Sequence, residues 1–180
     1  MNEALPREMQ QHTYAIMDRV EDKHWWFVGR RAILESFMRG IVAKIGARPS
    51  AIRILDVGCG TGANLEMLSQ FGEAEGVDVS DDALEFCRGK GLNVQKGLAE
   101  KLPYEDGAFD VTTALDVVEH LDDDIAGQCL VDELSRVVRS ADQRSISLSK
   151  LARSAPSALV IRRHRRPTSA LTPEQTSPRL

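Results

Sequence analysis

Ile54-Leu55-Asp56-Val57-Gly58-Cys59-Gly60-Thr61-Gly62-Ala63-Asn64 carries a short apolar run into three glycines at alternate positions and then into a helical pattern. The stretch reads as a strand, a tight turn and a helix start. Glycine suits such a turn because a side chain would clash within it, or would hold a ligand away from the amides at the helix N-terminus. The turn is therefore a place for a ligand, and the rest of the chain can be read outward from it.

Immediately before it, Ile33, Phe37, Ile41 and Ile45 recur every four residues with Leu34, Met38 and Val42 alongside, which predicts a helix from Arg30 to Ile45 stopped by Gly46 and Pro49. Ile52 to Val57 is apolar enough for a strand buried on both faces. Further upstream lie a weak amphipathic helix over residues 8–22 and the rings of His24-Trp25-Trp26-Phe27.

Downstream, Leu65, Leu68 and Phe71 give the helix after the turn its apolar stripe, and Gly72 closes it. Glu75 to Val79 is a second strand containing the acid Asp78 near its end. Ser80 is placed to cap a helix whose first turn holds Asp81 and Asp82. Leu92 to Val94 and Phe109 to Leu115 are the third and fourth strands. Asp122, Asp123 and Asp124 open a last helix facing inward through Leu130, Leu134 and Val137. This alternation predicts a doubly wound α/β sheet.

The 180 residues, 42% of them hydrophobic, suffice for one domain with a core. Charge divides the chain: residues 1–138 carry 14 Lys and Arg against 25 Asp and Glu, and residues 139–180 carry 9 against 2. The basic part is rich in Ser, Pro and Arg, and only Ala158 to Ile161 could form a strand within it. Its composition favours a disordered tail over a nucleic-acid or membrane-binding one. Cys59, Cys87 and Cys129 form no C-x-x-C pair, so neither a disulfide framework nor a zinc site is expected. With no signal-peptide core and no stretch near ~20 apolar residues, a soluble cytoplasmic protein is expected.

Residues 51–138 resemble the class I S-adenosylmethionine (SAM)-dependent methyltransferases of the type 11/23 group. The resemblance rests on Asp56-Val57-Gly58-Cys59-Gly60-Thr61-Gly62, on Asp78, on Gly97-Leu98-Ala99-Glu100-Lys101-Leu102-Pro103-Tyr104 leading to Phe109-Asp110-Val111, and on Leu115-Asp116-Val117-Val118-Glu119-His120. It implies a Rossmann-like, three-layer α/β/α fold with a mainly parallel sheet. It also implies three regions: an N-terminal helical segment (1–48), a partial SAM-binding domain (49–138) and the basic tail (139–180).

Carried across residue by residue, the resemblance gives SAM as cofactor. Gly58, Cys59, Gly60 and Gly62 would let the backbone approach its methionine part, and Asp56 would orient its amino group. Asp78 would bond the ribose hydroxyls and Val79 would pack on the adenine. Leu98 and Ala99 would lie at the adenine edge, where many relatives have Asp in place of Leu98, and Asp116 and Val117 would line the methionine end. The stretch His24 to Arg31 resembles a segment that covers the cofactor or forms part of the acceptor pocket, although aromatic clusters also serve ordinary packing. His120 has two roles open to it, as proton acceptor or as a residue packing the next helix. Asp116, Glu119 and His120 are not expected to converge on a metal.

After Val138, relatives continue with a glycine-rich turn and an apolar fifth strand, whereas this chain has Arg139-Ser140-Ala141-Asp142-Gln143-Arg144. The expectation drawn is a shifted frame or truncation near Arg139, with the usual C-terminal strands lost and the fourth strand left as a sheet edge. The function expected is methyl transfer from SAM to a small-molecule or lipid-like acceptor. Two alternatives stand beside it. One is a non-catalytic remnant that at most binds SAM. The other is an NAD(P)-dependent oxidoreductase, because Gly58, Gly60 and Ala63 also satisfy the dinucleotide fingerprint, with Asp78 about 20 residues on.

Overall fold

The computed structural model describes residues 11–117, 120–121, 124–138 and 158–162. The start of the first expected helix (residues 8–10), Val118, Glu119, Asp122, Asp123 and most of the basic tail lie outside these. Two helices, α1 (Gln11–Val20) and α2 (Trp25–Ile45), precede the sheet. Then come β1 (Arg53–Val57), α3 (Ala63–Leu68), β2 (Glu73–Asp78), α4 (Asp81–Gly89), β3 (Val94–Lys96), β4 (Val111–Leu115), α5 (Asp124–Val137) and β5 (Ala158–Arg162).

The strands are ordered β3-β2-β1-β4-β5. β1 pairs in parallel with β2 on one side and β4 on the other, and β2 pairs in parallel with β3. The chain thus winds outward in one direction from β1 to β3 and returns to β1's other side with β4. That reversal opens a crevice at the carboxyl ends of β1 and β4, where open α/β sheets take ligands.

The fourth strand is not the edge that the sequence suggested. Ala158–Arg162 pairs with it antiparallel, from Val111 opposite Arg162 to Leu115 opposite Ala158. The run that alone looked strand-like beyond residue 138 thereby satisfies backbone groups that β4 would otherwise leave unpaired.

Two apolar layers sandwich the sheet. On one face Leu34, Met38, Ile41 and Ile45 of α2 pack with Met67 and Leu68 of α3 and Ile54 of β1. On the other, Leu130, Leu134 and Val137 of α5 pack on Leu55, Val57 and Ala114. Alternation along β1 explains the division, since successive side chains leave a strand on opposite faces.

Helix α2 begins at Trp25, five residues earlier than its periodicity indicated, and ends at Gly46, a left-handed cap (φ +65°) whose amide bonds Val42 O at 3.1 Å. Its apolar stripe also differs from the expected one: Ile33 is 62% exposed and Phe37 lies toward solvent. A strict four-residue repeat turns about 40° per step around a helix of 3.6 residues per turn. The track Ile33, Phe37, Ile41, Ile45 therefore drifts off the core, and Leu34 and Met38 take the inner positions.

Candidate functional site

A cavity of ≈ 220 Å³ opens at the carboxyl ends of β1, β2 and β4. Its wall contains Gly58, Cys59, Gly60, Asp78, Val79, Leu98, Ala99, Asp116, Val117 and His120, ten of the twelve residues singled out in the sequence. Asp56 and Gly62 stand behind it.

The glycine turn is built by its backbone. Gly58, Gly60 and Gly62 all have positive φ, at 69°, 53° and 91°. The amides of Gly58 and Cys59 both donate to Val77 O, at 2.8 and 3.2 Å, which binds the turn to the end of β2. The three glycines differ in what surrounds them. A Cβ on Gly58 would come within 2.5 Å of Val117 Cγ2, and one on Gly62 within 2.5 Å of Leu92 Cδ1 and 2.9 Å of Cys87 Sγ. A Cβ on Gly60 would meet nothing within 4 Å among the described residues, so the turn's backbone faces the cavity there.

Asp78 is a built part of this turn. Its Oδ2 accepts the Gly60 amide and its Oδ1 the Ser80 amide, each at 2.9 Å. Ser80 in turn accepts from Ala83 N at 3.4 Å and caps α4. A carboxylate offers about four lone-pair sites, so Asp78 retains acceptor capacity toward the cavity while it fixes two loops.

Asp56 leaves β1 on the face opposite Val57 and is 1% exposed. Thr113 Oγ1 donates to its Oδ1 at 2.6 Å, and its Oδ2 is buried with no hydrogen-bond partner among the described residues. Burial pushes its pKa up to about 7, with the Thr113 hydroxyl opposing, the Asp78 charge adding and the Arg30 charge opposing. The Cys59 thiol is likewise pushed up, by its hydrogen bond with Cys87 and by burial.

The cavity's other side comes from the N-terminal helices and the turn between them. Tyr14, Met17, Glu21 and Arg30 line it. Glu21 is buried, and its Oε2 accepts from the Thr61 hydroxyl of the glycine turn. Arg30 pairs with Asp116, a non-glycine residue held at φ +57°, and its guanidinium lies 5.8 Å from the Phe27 ring centroid. No motif marked Glu21 or Arg30 as site residues. Arg30 stood within the quoted His24–Arg31 stretch, where the rings drew attention. Those tryptophans do not line the cavity: Trp25 and Trp26 are 74% and 55% exposed at the start of α2.

The 97–104 loop, which brings Leu98 and Ala99 to the wall, is clamped from α5. Glu133 Oε2 accepts Leu102 N at 2.7 Å, and Arg136 donates to Leu102 O at 3.1 Å and to Tyr104 O at 2.8 Å. The Arg136 guanidinium and the Leu102 amide hold the Glu133 carboxyl below its ordinary range. The resulting enclosure has backbone amides and a carboxylate at one end, apolar Val79, Leu98 and Ala99 at another, and paired charges at a third. It suits an elongated ligand with hydroxyls, a flat apolar part and a charged end.

Residues 55–141 match the family described as a methyltransferase domain. A ubiquinone biosynthesis O-methyltransferase of Methylococcus capsulatus is 39% identical over 82 residues, which cover 39% of this chain and 33% of that enzyme. The chain thus spans about a third of the length of that curated relative. Among solved structures, SAM-bound CalS10, an amino pentose methyltransferase from Micromonospora echinaspora, superposes with a TM-score of 0.53 at 25% identity, over 74% of this chain and 53% of that one. The PH0226 protein of Pyrococcus horikoshii shares the fold with a TM-score of 0.57 at 22% identity, over 73% and 62%.

Proposed function

Residues 55–141 belong to the methyltransferase domain family, and from that membership we propose that the chain binds SAM in the cavity described and transfers its methyl group to a small-molecule or lipid-like acceptor. The observation that carries this reading is the convergence of the glycine turn, Asp78 and the 97–104 loop on one cavity at the carboxyl ends of parallel strands. The Gly60 backbone, facing the cavity, fits a ligand laid against it, and Asp78 fits a diol.

SAM supplies a methyl group activated on a sulfonium. The chain's residues bind and align. Asp78 accepts from the ribose hydroxyls with the lone pairs that Gly60 and Ser80 leave. Val79 packs on the adenine, and the backbone at Leu98 and Ala99 meets its edge, since the Leu98 side chain offers no hydrogen bond. Asp116 and Val117 border the methionine end. His120, in the same wall, takes the proton of an oxygen or nitrogen acceptor. Alignment of nucleophile and methyl supplies the larger share of the acceleration. The relatives whose names specify O-methyl transfer support an oxygen nucleophile.

Calorimetric titration with S-adenosylhomocysteine, with NAD as control, tests the reading. Saturable binding of the homocysteine ligand alone, lost in Asp78→Ala, is expected. Binding of NAD instead, or of neither ligand, would overturn it.

A further inference from the structure

We propose that the outer face of α2 is a docking surface for an anionic lipid bilayer. The docking does not depend on what the cavity binds.

Helix α2 is apolar on two sides. Leu34, Met38, Ile41 and Ile45 pack against the sheet, yet Trp25, Trp26, Ile33 and Phe37 stand exposed on the other side. Gly29, Ala32, Ser36 and Gly40, which lie between them, are exposed too. Arg39 is the only charged residue among the described exposed positions from Trp25 to Ala43. A helix that is apolar all round is ordinarily covered all round, and a contiguous exposed apolar patch marks a contact site.

Charge identifies what covers it. Residues 11–48 carry seven Lys and Arg against four Asp and Glu, whereas residues 49–138 carry six against 19. Each of the four acids has a partner: Asp18 pairs with Lys90 at 2.7 Å, Asp22 with Arg31 at 3.8 Å and Glu35 with Arg39, and buried Glu21 accepts from Thr61. Arg19 and Lys23 stand as exposed cations ahead of Trp25, and Lys44 and Arg48 beyond the apolar face. Aromatic and aliphatic side chains between basic ends suit a helix lying in the bilayer interface, where tryptophan sits at headgroup level. Each cation near an anionic surface adds attraction. The acidic remainder of the domain is repelled by the same surface, which turns α2 toward it.

Two other occupants fit less well. A second copy would set like charge against like charge, and a face about 30 Å long and about 10 Å wide offers on the order of 300 Å² per copy, where a stable interface takes about 800 Å². The chain's own residues 139–180, with nine Lys and Arg against two Asp and Glu, repeat the sign of the helices. A bilayer has the opposite charge and no limit of area. Arg30 of the cavity wall stands about one turn along α2 from Trp26, so a docked helix holds the cavity beside the lipid.

Flotation of the full chain with vesicles of phosphatidylglycerol and phosphatidylcholine in equal parts tests the surface, with pure phosphatidylcholine vesicles as control. Partitioning onto the anionic vesicles should be stronger by about tenfold or more, since each cation contributes about fivefold, and added salt should weaken it. Trp25→Ser with Trp26→Ser, and Ile33→Ser with Phe37→Ser, should each lower partitioning about tenfold or more, with melting temperatures unchanged because all four side chains are exposed. The pairs lie at opposite ends of the face, so either decides the matter if the other fails to fold. Lys44→Gln should lower partitioning about fivefold. No partitioning of the wild type, or equal partitioning onto both kinds of vesicle, would overturn the proposal. Full partitioning of both serine pairs would overturn it too, assigning the attachment to residues 139–180. A wild-type dimer in sedimentation equilibrium that the serine pairs return to monomer would overturn it in favour of a second copy.

Discussion

Asp78 Oδ2 accepts the Gly60 amide at 2.9 Å, joining the end of β2 to the glycine turn 18 residues earlier in the chain. With Oδ1 on the Ser80 amide, one carboxylate sets the relative position of β2, the turn and the start of α4. Asp78→Ala should therefore cost stability as well as ligand. Two amides lose their acceptor, a loss of about 1–3 kcal/mol, read as a lower midpoint in urea denaturation of the ligand-free protein. An unchanged midpoint would mean that the carboxylate serves the ligand alone.

Asp56 should give the chain a recognisable pH dependence. Its carboxyl is raised from 3.8 to about 7 in the folded state, chiefly by burial. A raised acid binds its proton more tightly when folded, so its contribution is complete below the unfolded value, declines as pH rises from about 4 to about 7, and is flat above that. The span corresponds to on the order of 4 kcal/mol. The stability difference between wild type and Asp56→Asn, followed by denaturation from pH 4 to 8, should move against the wild type as pH rises. A difference independent of pH would show that Asp56 ionises normally.

The glycines of the turn should separate folding from binding. Gly62→Ala places a Cβ at φ +91° against Leu92 and Cys87 and should cost about 1–3 kcal/mol in overpacking beyond the backbone strain. Gly60→Ala has the strain, about 1–2 kcal/mol, but no clash among the described residues. It should remain folded and lose S-adenosylhomocysteine binding because its methyl occupies the cavity wall. Thermal melts and calorimetry on the two variants give the comparison, and a Gly60→Ala protein that binds normally would refute it.

Arg136→Ala should weaken the site from a distance. It removes donors to Leu102 O and Tyr104 O, at about 1–3 kcal/mol for the polar groups left behind. Amide hydrogen exchange should accelerate across residues 97–104 more than in β1 or β2. Uniform acceleration along the chain would point to general destabilisation instead.

Elements whose pattern is local were readable from the sequence. The stripe Leu130, Leu134, Val137 is fully buried, and Gly46 and Ser80 end and cap the helices they were expected to. Most of the cavity wall was readable too, because the turn, Asp78, Leu98 and Asp116 all sit at strand ends, where topology brings them together. What escaped depends on tertiary geometry. The drift of Ile33 and Phe37 to the outer face needs the true helical pitch and the position of the core. The use of Ala158–Arg162 to pair β4 needs a partner far along the chain. Glu21 and Arg30 carry no periodic or spacing signal, since the fold alone carries α1 and α2 over the glycine turn.

Both tryptophans of the sequence stand side by side at the exposed start of α2, four or five residues before Arg30. All indole emission therefore originates from one helical turn that is already wet in the native state. Its wavelength should shift little when the protein unfolds, making it a poor gauge of denaturation. The same property makes it a sensitive gauge of occupancy: an acceptor or protein surface that covers this turn would dry both indoles and move the emission to the blue, with no added label.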